Sequence, residues 1–295
     1  MPWTRTITAI IGIFFALGIL IIGKWLFTIG LCLIVFLGQL EYFQLVRAKG
    51  IIPATKTTLI VSQILLITAA IAPHFTDALF ALAGTLICFY LLFQPKLASI
   101  ADISTSILGL FYGGYLPSYW LRLRVGFDST ITNINVENND LFLQRYLPNL
   151  WTKSQFLSPA LTVTCLAFSC IWAADIGAYV MGKSFGKTRL SNISPKKTVE
   201  GAIAGLIGSI IVAEIGAWYL KWPYFYLTGV ILGILIGVVS LLGDLTESMM
   251  KRDAGVKDSG KLIPGHGGIL DRTDSYVFTA PLVYYFVTLF LPLLR

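Results

Sequence analysis

The chain has 295 residues, 56% hydrophobic and only 13% charged, with 22 Lys and Arg against 15 Asp and Glu for a formal net charge of +7. A soluble domain carries roughly 25% charged residues, so this composition excludes an ordinary soluble enzyme. With a mean hydropathy of +0.77 and many apolar runs near the length of about 20 residues that crosses a bilayer as helix, it reads as an all-α polytopic transmembrane helical bundle with cytoplasmic polar loops.

In chain order the apolar runs predict nine spans, at approximately 7–23, 25–46, 58–73, 78–94, 103–121, 158–175, 199–220, 225–245 and 275–294. The first follows Arg5 as a signal peptide would. No small-residue cleavage site follows it and a second span begins almost at once, so it reads as a retained helix. The third and fourth are short, and Pro73 separates them. Were that pair re-entrant, seven spans would remain, with the later topology unchanged. Cys32, Cys88, Cys165 and Cys170 all lie in apolar runs without a CxxC pair, and read as small packing residues.

Orientation follows from Lys and Arg placement. With the N-terminus in the cytoplasm, the opposite side holds Lys24, Arg122, Arg124, Arg145, Lys153, Lys221 and Arg295. The remaining 15 of the 22 cations face the cytoplasm. Three regions result: membrane spans over 1–121, a polar non-cytoplasmic loop over 122–157 with no catalytic role, and a membrane domain over 158–295 with two cytoplasmic loops. The +7 charge calls for no nucleic-acid partner, because the excess serves orientation, anionic-lipid contact and phosphate binding.

The first cytoplasmic loop, Asp175 to Gly201, reads DIGAYVMGKSFGKTRLSNISPKKTVEG. Asp175 ends a span, and Ser194 with Pro195 suits the N-cap and first position of the next helix. Glycines, hydroxyls and lysines also suit a polyphosphate, because small residues let backbone N–H groups approach it. Gly177 to Ser184 matches a P-loop formally. That motif needs a strand before it and a helix after it, whereas a membrane helix precedes it here, so the match is rejected.

The second loop, Ser248 to Asp274, reads SMMKRDAGVKDSGKLIPGHGGILDRTD. So much opposed charge beside a bilayer marks chemistry. Asp244, Ser248 and Lys251 share one helix face at i, i+4 and i+7, and Asp271 and Asp274 share another at i and i+3. Helix N-termini favour acids, which accounts for one of the latter pair. It does not account for Asp244, near a helix C-terminus. Three convergent carboxylates suit Mg²⁺, which takes a few carboxylates plus substrate phosphates. His266, among glycines, has no Cys or His partner for metal ligation; its setting suits presentation to a phosphate or a carboxylate. Gly229, Gly233 and Gly237, and Gly201 and Gly205, step by four within spans and predict close helix packing.

Ser248-x-x-Lys251-Arg252, Lys257-Asp258-x-Gly260, Leu262-Ile263-Pro264-Gly265-His266-Gly267-Gly268 and Asp271-Arg272-x-Asp274 resemble the signature of the phosphatidate cytidylyltransferases (CDP-diacylglycerol synthases). Asp175, Ala178-Tyr179, Gly182, Gly186 and Ser194-Pro195-Lys196-Lys197-Thr198-Val199-Glu200-Gly201 resemble that family's other block. The resemblance implies a nine-span membrane enzyme that transfers CMP from CTP to phosphatidic acid, giving CDP-diacylglycerol and pyrophosphate for phospholipid synthesis. It implies metal binding at Asp244 and Asp271 with Asp274 in support, by Mg²⁺ and with allowance for a second cation such as K⁺. Asp175, Gly182, Gly186, Ser194, Thr198, Glu200, Gly267 and Gly268 fall to nucleotide and cofactor binding. Lys196, Lys197, Ser248, Lys251, Arg252, Lys257, Asp258, His266 and Arg272 fall to the catalytic site, the lysines and arginines among them neutralising phosphate.

The host membrane on this reading is a bacterial inner membrane or a plastid membrane, and a homodimer is left open. The competing readings are a CTP-dependent polyprenol or phytol kinase, an archaeal-lipid cytidylyltransferase and an ion-coupled transporter. The last calls for acids near the bilayer midplane, where Glu41 and Glu214 are the main ones available. An enzyme consuming CDP-diacylglycerol would carry wider-spaced aspartates, a pattern this chain lacks.

Overall fold

Apolar runs with nothing but helix to satisfy their backbone groups fold as helix, since hydrocarbon offers no water to unpaired N–H and C=O. The computed structural model describes residues 16–95, 97–126, 158–260, 262 and 267–294. Residues 7–15 of the first predicted span, most of the loop at 122–157, and His266 lie outside them. Among the described residues the regular structure is helical, with an isolated bridge between Arg189 and Thr198 and no named strand.

The helices are α1 (16–22), α2 (Lys24–Ala48), α3 (Thr55–Ile71), α4 (Thr76–Leu92), α5 (Ile100–Leu110), α6 (Leu116–Leu121), α7 (Pro159–Phe185), α8 (Val199–Tyr219), α9 (Phe225–Asp253), α10 (Leu270–Tyr285) and α11 (Leu291–Leu293). Among the described residues, six helical stretches have the length and composition to cross a membrane: Lys24–Ala48, Pro73–Leu92, Pro159–Phe185, Val199–Tyr219, Phe225–Asp253 and Leu270–Leu293. Thr55–Ile71 is a shorter apolar helix.

Local chemistry sets the boundaries. Gly23, at φ +65°, breaks α1 from α2, and Arg124 fills the space a side chain there would need. Its guanidinium donates to the Leu20 and Ile21 carbonyls, 3.0 and 3.1 Å away, which the end of α1 leaves without helical partners. Ser99 and Asp102 form a reciprocal capping box on α5. Two π turns, Phe111–Tyr115 and Phe286–Phe290, each end two residues before a proline, Pro117 and Pro292. A proline lacks an N–H and its ring collides with the carbonyl four residues back, so widening the turn there relieves both problems.

Two boundaries differ from the sequence expectation. The helix expected to end at Asp175 continues to Phe185, because Ile176, Ala178, Tyr179, Val180 and Met181 keep the segment apolar. The whole of the formal P-loop match therefore lies in one helix. At the other boundary, the fifth span runs on through a π turn to Gly126, so Arg122 and Arg124 are not loop charges. They are only 4% and 5% exposed. Arg122 reaches Asp77 at 2.5 Å and lies over the Tyr119 ring, and this pairing lets a cation sit in the interior.

The chain divides into two compact units. One holds Met1–Gly126 and Glu247–Val277; the other holds Phe127–Thr246 and Phe278–Arg295. In the first, Leu65, Ile87 and Leu110 are the fully buried centre of a core shared by α3, α4 and α5. Gln39 of α2 donates to Ser62 Oγ at 2.7 Å and to the Gly109 carbonyl at 3.0 Å. In the second, α8 has two faces set by solvent type. Gly201, Gly205, Ser209, Ala213 and Ala217, each four apart, are buried; Ile203, Ile207, Ile211 and Ile215 are exposed. Small residues inward and large apolar ones outward is the pattern of a helix whose solvent is lipid.

The glycine steps predicted to permit close packing do so. A Cβ on Gly205 would stand 2.5 Å from the Ala174 carbonyl oxygen, and one on Gly233 would stand 2.4 Å from Ile210 Cα. Because backbone would have to move, Gly233→Ala is expected to destabilise the protein by about 1–3 kcal/mol, read as a lower melting temperature in detergent; an unchanged temperature would mean that α8 and α9 separate freely.

Candidate functional site

The first polar loop is a short, tightly bonded connection rather than an open one. Leu190 N–H donates to the Lys197 carbonyl and Val199 N–H to the Thr188 carbonyl, both at 2.9 Å. The Glu200 carboxylate accepts from the N–H groups of Lys187 and Thr188 at 3.1 to 3.2 Å. The N-cap of α8 is Thr198, whose hydroxyl accepts from Gly201 N–H at 3.2 Å. This corrects the expectation for Ser194 and Pro195, which lie in a turn closed by Lys197 N–H on the Ser194 carbonyl. Gly182 and Gly186 press against Thr198, where added Cβ atoms would stand 3.0 and 2.6 Å from its side chain. Packing thus accounts for both glycines. Asp175 is an exposed residue of α7. Lys196 is exposed, while Lys197 points its ammonium at Asp244 Oδ2, 2.5 Å away.

The second loop starts where α9 stops. Gly255, at φ +74°, takes the left-handed conformation that ends helices, and Val256 N–H donates to the Lys251 carbonyl at 2.9 Å. Lys251 and Arg252 occupy the last turn, where a helix dipole favours cations. The Lys251 ammonium is held between two acids, Glu247 one turn earlier and Asp271 Oδ1 at 2.6 Å. Glu247 is fully buried, and the side chains of Lys251 and Asp271 are 11% and 10% exposed. Asp271 Oδ2 also accepts from Ser259 N–H at 3.1 Å and Gly268 N–H at 2.8 Å.

Gly267, at φ +86°, lies with its Cβ position 2.8 Å from Asp271 Oδ2. Gly267 and Gly268 therefore let backbone close on a carboxylate. Asp274 is buried and accepts from Ser275 N–H at 2.7 Å. One of its oxygens lies within 4.8 Å of one from Glu247. Ser248 is buried, while Arg252, Lys257, Asp258 and Arg272 are exposed; Arg252 also donates to the Val256 carbonyl at 3.2 Å. His266 lies outside the described residues.

Two acids were not singled out as site residues by motif reasoning. Glu247 sits three residues after Asp244 and four before Lys251, a spacing that already puts it on their helix face. Glu41 sits alone in an apolar run, and nothing nearby in sequence announces its partners. In the structure it is 1% exposed and accepts from Ser259 Oγ, Ile269 N–H and Leu270 N–H at 3.1, 3.1 and 2.9 Å.

Within one unit, Glu247 and Asp274 bring carboxylate oxygens within 4.8 Å of each other, and Asp244 and Asp271 also offer only carboxylate oxygen, a chemistry that fits a hard cation such as Mg²⁺ and not a thiolate- or imidazole-seeking metal.

The apolar helices, joined by polar segments that carry buried carboxylates and exposed cations, define an integral membrane protein. The chain belongs to the cytidylyltransferase family, whose pattern matches residues 3–290. It is 64% identical over its full length to a phosphatidate cytidylyltransferase of Synechocystis sp., covering 99% of that protein. It is 42% identical over 285 residues to phosphatidate cytidylyltransferase 4, chloroplastic, of Arabidopsis thaliana, covering 94% of this chain and 71% of the relative. With the Bacillus subtilis phosphatidate cytidylyltransferase it shares 44% identity over 131 residues, 43% of this chain and 49% of the relative.

Replacing Lys251 by Met leaves Glu247 and Asp271 without their shared counter-charge. Such a loss in a buried pair costs about 3–5 kcal/mol. The variant is expected to melt well below wild type in detergent, and adding Glu247→Gln is expected to recover part of the loss. Melting at the wild-type temperature would show that the ammonium carries no stability.

Proposed function

We infer that this chain is an integral-membrane nucleotidyltransferase that moves CMP from CTP to phosphatidic acid, releasing pyrophosphate and leaving CDP-diacylglycerol. The full-length identity of 64% to a phosphatidate cytidylyltransferase carries the reading. The relatives named above do not favour the kinase and transporter alternatives.

The chemistry follows from the substrates. An oxygen of the phosphatidate phosphate attacks the α-phosphorus of CTP; the new P–O bond forms as the bond to the β-phosphate oxygen breaks, and pyrophosphate leaves with that electron pair. The lipid phosphate is already an anion, so no side-chain nucleophile is required. The need is charge compensation on the transferring group and the leaving pyrophosphate. We assign this to Lys196, Lys197, Lys251, Arg252, Lys257 and Arg272.

Asp244, Asp271 and Asp274, with Glu247 added to the set, are the residues we propose for divalent-cation binding. Mg²⁺ bound there would supply Lewis-acid polarisation of phosphate oxygens. Lys197 and Lys251 keep Asp244 and Asp271 compensated on the protein side. Allowance for K⁺, the nine-span count, a cytoplasmic N-terminus and site, and a bacterial inner or plastid membrane as host belong to the same proposal. CTP is a cytoplasmic solute, which supports that orientation.

Detergent-purified protein given phosphatidic acid, Mg²⁺ and CTP is expected to pass α-phosphate label, and no γ-phosphate label, to lipid. Asp271→Asn and Asp244→Asn are each expected to lower that transfer on the order of a hundredfold. Label from the γ-phosphate in an added lipid alcohol would make the enzyme a kinase. Full activity in both variants would remove these carboxylates from the site.

A further inference from the structure

The Glu41 carboxylate belongs to α2, yet its three hydrogen-bond donors among the described residues lie in the second polar loop, 218 to 229 positions further along the chain. They fall at the loop's two ends: Ser259 on one side, Ile269 and Leu270 on the other. Two glycines make room for it. A Cβ on Gly260 would stand 2.3 Å from Glu41 Oε1, and one on Gly268 would stand 2.3 Å from Oε2.

The same two loop ends grip Asp271, through Ser259 N–H and Gly268 N–H. Ser259 serves both acids, its hydroxyl on Glu41 and its backbone on Asp271. Gly268 N–H holds Asp271, while the next two N–H groups in the chain hold Glu41. A buried carboxylate is costly unless its lone pairs are met, and Glu41 meets its own by fixing the backbone that aims Asp271.

We propose that Glu41 is a positioning residue for CMP transfer: without touching a reacting group, it sets the direction of the Asp271 carboxylate by clamping residues 259–260 and 268–270. This rests on the function proposed above. Partners one step removed from a metal or catalytic group typically change affinity or activity 10–100-fold when lost.

The test compares wild type, Glu41→Gln, Ser259→Ala and Gln39→Ala, all full-length in detergent. Gln39 lies on the same helix, is equally buried, and binds Ser62 and Gly109 instead of the loop. It therefore controls for loss of stability alone. Four quantities are read: melting temperature without metal, the rise in it given by saturating Mg²⁺, kcat, and KM for CTP and phosphatidate.

Glu41→Gln presents an NH₂ group where N–H donors point. It is expected to lower kcat about 10–100-fold, leave KM for phosphatidate unchanged and diminish the Mg²⁺-induced rise. Gln39→Ala is expected to lower the melting temperature while keeping both kcat and the rise. Equal kinetic losses in Glu41→Gln and Gln39→Ala at matched stability would overturn the proposal, as would wild-type kcat and Mg²⁺ response in Glu41→Gln.

If Glu41→Gln does not fold, Ser259→Ala decides, since it removes one of the three bonds and spares the backbone donor to Asp271: a reduced kcat with a reduced Mg²⁺ response supports the clamp, and unchanged values overturn it. A wild type that transfers no label to lipid would instead reject the functional reading.

Discussion

The site depends on one constraint: a carboxylate taken out of water must be given donors. Among the described residues Asp271 receives three, an ammonium and two backbone N–H groups. Supplying them dictates the surroundings. Lys251 must come at the end of α9, where Gly255 stops the helix. The chain must return through Ser259, and the approach of Gly268 is too close for a side chain. Each feature has a local reason, and together they leave Asp271 little freedom to turn.

Compensation is repeated in the other unit with different parts. Lys197 faces Asp244 from a loop that Glu200 holds shut. In both places an acid on a helix meets a lysine, so the charges proposed for cation and phosphate binding already interact within the protein. Phosphate and metal would then exchange partners among charges already present, which limits the electrostatic cost of an empty site beside a bilayer.

The lipid-facing character of the chain, most helix positions and the packing role of the stepped glycines were legible in the sequence, because apolar length and four-residue spacing are local properties. Helix ends were less so. Asp175 reads as a stop and is not one, since an exposed helix position tolerates the acid. Ser194 and Pro195 read as a cap, but Thr198, four residues later, takes the role. Arg122 and Arg124 read as loop charge because their partners, Asp77 and the end of α1, are distant in sequence. Glu41 is the extreme case. Charge patterning finds pairs within one helix, as it can for Glu247 with Lys251, but it cannot join α2 to a loop more than two hundred residues away.

That separation has a consequence for synthesis. The unit containing Glu41 is discontinuous, formed from the beginning of the chain and a late segment. Its early helices leave the ribosome before the segment that completes them exists. At about 5–20 residues per second, the 218 positions between Glu41 and Ser259 take roughly 10–40 s to translate. For that interval the nascent carboxylate has none of its eventual donors. It must wait without them, and the first half of the protein is held in an unfinished state until nearly the last helix is made.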